Sequence, residues 1–447
     1  MFIRPSLRDE IRAALRLTFP LAGAQVAQAA TSFVDTVMMG WLGQDVLAAG
    51  GLAATTFITL LVTASGIITG VSPLAAEAYG VANPKRIQQL TRNGLWLSLL
   101  LSLPVMGLLW RMDGLMEHLG QAPSVAILAR PYLTIILWGF FPALAFALLK
   151  DVVSSLSHPQ PVMVIVMAGT GLNVAGNYAL GFGHFGLPAL GLSGIALTSV
   201  ISYWAMFIAL VVYLLKQRLL KSYRLFQNLL RVEPQVLREL FWIGLPIGVS
   251  FALEIGLFTV TTYLMGALGP EVLAAHQIVF QTIAVIFMVP LGMSYATTIR
   301  VGQWNGQQNP AGVRRAAYVG MGLGGFFMIL MALLLLLFPR SAIGLFLDLG
   351  NPNNAQVISL AISMFAVAAV SQILDGVQTT AAGALRGLKD TRVPMLLSFL
   401  AFWGVGLASG YTLGFVVGLG GIGLWLGQAI GVGCSAILFG WRLGRLI

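Results

Sequence analysis

Three carboxylic acids, Asp35, Glu254 and Asp375, each lie inside a long apolar stretch, and no lysine or arginine occupies the interior of any such stretch. An aspartate at the centre of a membrane helix costs roughly 2.5 to 3.5 kcal/mol on insertion scales, so such residues face a wet cavity and mark an ion or solute path. With no resident base, the balancing charge has to be a proton, a metal cation or a cationic solute.

The surroundings of these acids are polar in a patterned way. Asn173 and Asn177 stand four residues apart, which presents both amides on one helix face. Thr198 and Ser199 follow on the next helix. One carboxylate, amide carbonyls and a hydroxyl suit a hard monovalent cation, or they could hydrogen-bond a protonated acid. The competing account is interhelical adhesion, since Asn and Ser bond across membrane helices for about 0.6 kcal/mol each. Glu254 sits in Phe251-Ala252-Leu253-Glu254-Ile255, and Phe258 lies one turn on, where its ring face could meet a cation or pack against lipid or core. Gln277, Gln281, Gln378 and Thr379 offer further oxygens. Glu77, Asp151, Glu239 and Asp390 lie near basic residues at the ends of apolar stretches and read as interfacial charge pairs.

Other chemistries find little support. Cys434 is the only cysteine, which excludes an intrachain disulfide and a four-cysteine zinc site. His118, His158, His184 and His276 have no i, i+4 pairing of the kind a helical metal site needs, and they read as polar loop residues. The chain has no Gly-Lys dipeptide and hence no P-loop to cradle a nucleotide. Its glycine-rich runs, Gly322 to Gly325 and Gly418 to Gly421, follow no strand and suit close helix packing. No cofactor is expected.

Composition sets the elements that position these groups. Hydrophobic residues make up 58% of the 447, charged residues 9%, and mean hydropathy is +0.88, all far from the soluble range. Apolar windows of about 20 residues, enough to cross about 30 Å of hydrocarbon as helix, recur twelve times. Six begin near residues 15, 46, 92, 131, 161 and 191, and six near 240, 274, 315, 357, 394 and 419. The first is entered through Ser6-Leu7-Arg8-Asp9, a capping-box pattern, with no cleavage site after it, so a retained helix is expected.

A pI near 10.0 invites a nucleic-acid reading, but the basic residues are sorted by side. Of the 25, only Arg111, Arg130 and Arg340 fall on one side of the twelve spans; the rest flank the termini and the even-numbered connections. That bias places both termini in the cytoplasm of an inner (plasma) membrane. Nucleic acid is not an expected partner, because the charge is spread over short segments.

The chain also repeats itself. At a shift of 226, Pro20 meets Pro246, Gly40-Trp41-Leu42-Gly43 meets Gly266-Ala267-Leu268-Gly269, and Gly80 with Asn83-Pro84 meets Gly306 with Asn309-Pro310. Six spans per repeat is an even number, so both halves enter from the same side. The expected architecture is all-α: two six-helix lobes in parallel repeat around a central cavity, residues 1–215 and 240–447. Residues 216–239 form a basic, amphipathic linker lying on the anionic lipid leaflet. The acids are not part of the symmetry, for Asp35 corresponds to Thr261 and Glu254 to Gln28. Each lobe has its own acid site. A duplicated membrane protein of this kind favours a carrier driven by an ion gradient. A cation channel, an intramembrane hydrolase and a lipid-linked oligosaccharide flippase remain as alternatives, the last disfavoured because it would want basic residues in the cavity.

The stretches Phe33-Val34-Asp35-Thr36, Val272-Leu273-Ala274-Ala275-His276-Gln277, Arg300-Val301-Gly302, and Asp375-Gly376-Val377-Gln378 with Ala381 to Gly387 resemble the multidrug and toxic compound extrusion (MATE) family, NorM branch. The resemblance spans essentially the whole chain. It implies an antiporter, not an enzyme, that expels cationic amphiphilic molecules in exchange for Na+ or H+, expected here as a monomer. The family's C-lobe cation site would fall on Glu254 and Asp375, with Na+ as a candidate ion. Its N-lobe cation or proton site would fall on Asp35, Asn173, Asn177 and Ser199. Substrate would meet Asp35, Phe258, Gln277 and Gln378. Some members carry an aromatic residue where this chain has Ser371.

Overall fold

The computed structural model describes residues 6–112, 114 and 123–447; Arg4 and His118 lie outside them. The described residues are almost entirely helical and contain no strand. Among the described residues twelve long helices follow one another: α1 (Leu7–Trp41), α2 (Gln44–Gly80), α3 (Pro84–Trp110), α4 (Ser124–Ser155), α5 (Gln160–Gly181), α6 (Leu192–Lys216), α7 (Pro234–Ala267), α8 (Pro270–Gly306), α9 (Pro310–Leu337), α10 (Pro352–Gly387), α11 (Arg392–Val416) and α12 (Gly420–Leu446). Eleven are long and apolar enough to span a bilayer, and α1 matches them in length at 35 residues. Its lower hydropathy comes from Gln25, Gln28, Thr31, Ser32 and Asp35, the polar content expected of a helix with one wet face.

Local chemistry accounts for the helix ends. Ser6 and Asp9 close a reciprocal cap: the Asp9 N–H donates to Ser6 Oγ (3.2 Å), and the Ser6 N–H donates back to Asp9 Oδ2 (3.0 Å). The duplication is visible in the caps. α3 and α9 both begin with Pro at the first helical position, preceded by an asparagine whose side chain accepts an N–H three residues on: Asn83 from Arg86 and Asn309 from Gly312, each at 3.0 Å. The residue before each asparagine is left-handed, Ala82 at φ 52° and Gln308 at φ 53°. Gly43 and Gly269, before α2 and α8, share φ of 130° and 122°, which only glycine adopts at ease.

The chain divides into two compact units, Gly23–Gly248 and Met1–Ala22 joined with Val249–Ile447. These boundaries differ from the 215/216 and 239/240 limits expected from the sequence. They fall inside α1 and α7, two residues beyond Pro20 and Pro246, so each half of the duplication contributes the start of one helix to the other unit.

Glycine permits both insertions. Within Gly23–Gly248, α7 crosses α2 so closely that a Cβ on Gly244 would stand 1.8 Å from the Ile67 carbonyl oxygen, and one on Gly248 2.7 Å from that of Thr63. In the other unit, a Cβ on Gly292 of α8 would stand 2.6 Å from the Ala22 N in α1. Charges pin the same helix starts. Arg86 pairs with Glu239, and Arg92 with Glu233, within Gly23–Gly248. In the second unit the buried Glu10 accepts from Arg300 Nε and Nη2, both at 2.8 Å, and from Trp304 Nε1 at 3.0 Å.

The core of Gly23–Gly248 is built on Phe57, Phe140, Leu133 and Leu144. The other unit has two clusters, one around Phe365, Met364 and Trp425 and one around Phe439, Leu385 and Val301. Between α6 and α7, Leu220 and Leu225 are buried against the first of these cores, while Leu230 is exposed. Only part of the apolar content of residues 216–239 is therefore open to a lipid surface.

Candidate functional site: two carboxylate clusters

In Gly23–Gly248, α1, α5 and α6 bring Asp35, Asn173, Asn177 and Ser199 into one hydrogen-bonded chain. Asn177 Nδ2 donates to Asp35 Oδ1 (2.5 Å) and to Asn173 Oδ1 (3.1 Å); Asn173 Nδ2 donates to Ser199 Oγ (3.2 Å), whose hydroxyl donates to the Ile195 carbonyl (3.1 Å). Asn173, Asn177 and Ser199 are buried and Asp35 is half-buried. α5 passes into a π-helical turn at Asn177–Gly181, an irregularity common at functional sites. The buried Asn177 Oδ1 accepts no hydrogen bond and is left as an unused oxygen beside the carboxylate. The rings of Tyr132 and Tyr203 lie within electrostatic reach of Asp35. Thr198, singled out from the sequence, stands apart: its hydroxyl is spent on the Gly194 carbonyl and its methyl faces Gly176.

In the second unit, Glu254 on α7 and Asp375 on α10 are half-buried and within electrostatic reach of each other. Thr379 Oγ1 lies 3.4 Å from Asp375 Oδ1 and 3.2 Å from Gln378 Oε1. Gln378 is buried beside the acid, whereas Gln277 and Gln281 are exposed on α8. The Phe258 ring packs against Phe280 with centroids 5.3 Å apart. Among the described residues there is no cluster of three or more His, Cys, Asp or Glu side chains able to hold a metal.

Two expectations from the sequence are corrected here. The sequence implies that the acids lack any resident positive charge. Arg386, the residue before the last of α10, is buried and its charge acts on Glu254. Its guanidinium reaches back along the helix: Nη2 donates to Ser294 Oγ (2.7 Å), and Cζ lies 5.9 Å from the ring centroids of Phe251 and Tyr295. Long side chains lean toward the N-terminus of their helix, so a residue that reads as a helix-end base delivers its charge about a turn deeper. His276 is the second correction. It is a fully buried residue of α8, not a loop residue, with Nε2 3.1 Å from Thr262 Oγ1 and its ring beside Phe280 and Trp425. Its place in the run Val272 to Phe280 was the available signal. His184 does lie in a connection, stacked on Tyr178. Of the acids expected to pair with bases, Glu239 pairs with Arg86, Asp390 with Arg442 (2.7 Å), and Asp151 lies 3.9 Å from Lys150.

The twelve membrane-length helices of the described residues, in two related units each with its own carboxylate cluster, define a polytopic membrane protein of duplicated halves. The chain belongs to the MatE family, whose model matches residues 20–179 and 246–412. It is 50% identical to a "Probable multidrug resistance protein NorM" of Synechocystis sp. over 100% of this chain and 96% of that protein. A protein of the same name from Pseudomonas aeruginosa is 40% identical over 99% and 91%. The fold is similar to that of a solved structure described as the outward-facing conformation of a multidrug resistance MATE family transporter of the MOP superfamily, with TM-score 0.89 and 20% identity over 98% of this chain and 96% of that one. The eukaryotic MATE transporter AtDTX14 gives 0.86 and 21% over 98% and 96%.

Proposed function

We propose that this chain is a secondary antiporter of the bacterial plasma membrane that exports cationic amphiphilic drugs from the cytoplasm in exchange for Na+ or H+. The observation that carries this reading is the pair of separate carboxylate clusters, Asp35 with Asn177 in one unit and Glu254 with Asp375 in the other, within helices of membrane length. The names of the relatives from Synechocystis and Pseudomonas support the drug-export part.

Glu254 and Asp375 repel one another when both are ionised, so their cluster favours uptake of one positive charge, Na+ or a proton. Asp35 and the free Asn177 oxygen present two further acceptors for a cation or a proton, with Asn173 and Ser199 fixing the amide orientation. A drug cation would meet Asp35 in the Gly23–Gly248 unit, and in the other unit the candidate drug contacts are Phe258, the buried Gln378 and the exposed Gln277. Coupling then needs only that the ion and the drug favour different conformations open to opposite sides, each shifting the equilibrium by its differential affinity. The protein works as a monomer without a cofactor, with both termini cytoplasmic.

The test is ethidium transport in proteoliposomes. An inward Na+ gradient at clamped pH, or an inward proton gradient without Na+, drives ethidium out of the lumen against the dye gradient, and the effective gradient names the ion. Asp375→Asn and Glu254→Gln abolish gradient-driven transport while inserting normally. Wild-type rates in both variants would overturn the assignment.

A further inference from the structure

The second unit contains a line of buried polar atoms that no protein group satisfies. His276 Nδ1, Trp425 Nε1, both side-chain polar atoms of Gln428 and Gln372 Oε1 have no hydrogen-bond partner, and all four residues are more than nine-tenths buried. Native interiors leave only a few such groups, and a cluster of them is the signature of polar space filled by water or an ion.

Their register is what gives them meaning. α8, α10 and α12 run in the same direction. A Cβ on Gly421 would meet Met364 and Val272, and one on Gly433 would meet Leu374. Interpolated at 1.5 Å per residue, Gln428 comes level with about residue 370 of α10, within a turn of Gln372. Trp425 and Gln428 share a face of α12, and Gln372 and Asp375 share a face of α10, each pair three residues apart. The His276 and Trp425 rings lie 5.5 Å apart at the outer end. His276 and Trp425 therefore lie at one level, Gln428 about one turn deeper, Gln372 about half a turn beyond it, and Asp375 a further turn on.

We propose that this unit holds its own hydrated path for a small monovalent cation, Na+ or hydronium, between α8, α10 and α12, leading from the extracellular side to Asp375. The outer direction rests on the antiport reading above; the path itself rests on the unsatisfied atoms. It separates the coupling ion from the bulky substrate, since side chains packed to more than nine-tenths burial leave room for water and small ions but not for a drug cation. Gln428, with an acceptor and a donor both free, is the central relay.

The test uses the full chain in proteoliposomes with its native cysteine removed (Cys434→Ser). Externally added Ag+ should modify Gln428→Cys and Gln372→Cys at least tenfold faster than Ala368→Cys, which sits in the adjoining apolar core. A bulky cationic thiol reagent should leave all three untouched. Because a cysteine variant can misfold, hydroxyl-radical footprinting of the unmodified protein supplies the second measurement. Trp425 should be oxidised despite its 2% exposure, while the equally buried Phe365 is not. Equal Ag+ rates at the three cysteines, or protection of Trp425 matching that of Phe365, would overturn the path. Dye transport recorded in the same liposomes keeps the two questions apart: absent wild-type transport defeats the antiport reading, and inert sites with transport intact defeat only the path.

Discussion

Glu10 and Arg300 allow the energetics of one helix insertion to be worked out from geometry. The start of α1 reaches the unit formed by Val249–Ile447 and is held there by three hydrogen bonds to one carboxylate, two from Arg300 at 2.8 Å and one from Trp304 at 3.0 Å. Glu10 is 1% exposed and the Arg300 side chain 17%. Removing one partner of a buried pair costs about 3 to 5 kcal/mol because the other charge is left uncompensated, whereas replacing both by apolar groups is close to neutral. Arg300→Met strands the deeper charge and should cost about 4 kcal/mol. Glu10→Gln leaves a charge with some access to solvent and retains an acceptor for Trp304, so about 2 to 3 kcal/mol is expected. The double variant Glu10→Met/Arg300→Met loses mainly the Trp304 bond, about 1 kcal/mol. Equilibrium unfolding in mixed micelles, followed by tryptophan fluorescence, reads all four corners of the cycle. Single losses that add in the double to within about 0.5 kcal/mol, the behaviour of independent sites, would refute the reasoning, as would a larger loss for Glu10→Gln than for Arg300→Met.

Asn177→Leu removes the donor to Asp35 and to Asn173; a hydrogen bond to an ionised group contributes about 1.5 to 3 kcal/mol, so coupling-ion affinity at this site should change by at least tenfold, read as the ion concentration for half-maximal dye transport. Gly244→Ala places a methyl against the Ile67 carbonyl and should cost about 3 kcal/mol or prevent folding, while Gly171→Ala, with open space around it, should be neutral or stabilising by up to about 1 kcal/mol; similar unfolding midpoints for the two would contradict the close crossing of α7 and α2. Asn83→Ala and Asn309→Ala remove equivalent caps and should each cost about 1 kcal/mol, with losses matching to within about half that value if the two halves are built alike.

What the sequence determined is everything that depends on local pattern. Hydropathy over about 20 residues specified the spans, because each segment must cross the same thickness of hydrocarbon. The sorting of Lys and Arg carries an expectation of sidedness, and the 226-residue shift specified a duplication that the paired Asn-Pro caps and left-handed residues repeat in the backbone. Asp35, Glu254 and Asp375 stood out because ionisable groups are rare in such segments, and helical periodicity placed Asn173 and Asn177 on one face, where they are found joined by a hydrogen bond. Other features follow from contacts between residues far apart in the chain, to which hydropathy and periodicity are blind. That Thr198 turns to its own helix while Ser199 joins the asparagines was decided by packing against Gly176. The unit boundaries fall inside α1 and α7 because Gly244, Gly248 and Gly292 let backbones approach at those crossings. Arg386 belongs to the Glu254 neighbourhood through the reach and direction of a long side chain, and His276 is buried because α8 and α12 close over it. A linear pattern reports which groups are costly to bury; only the packed helices decide which of them meet.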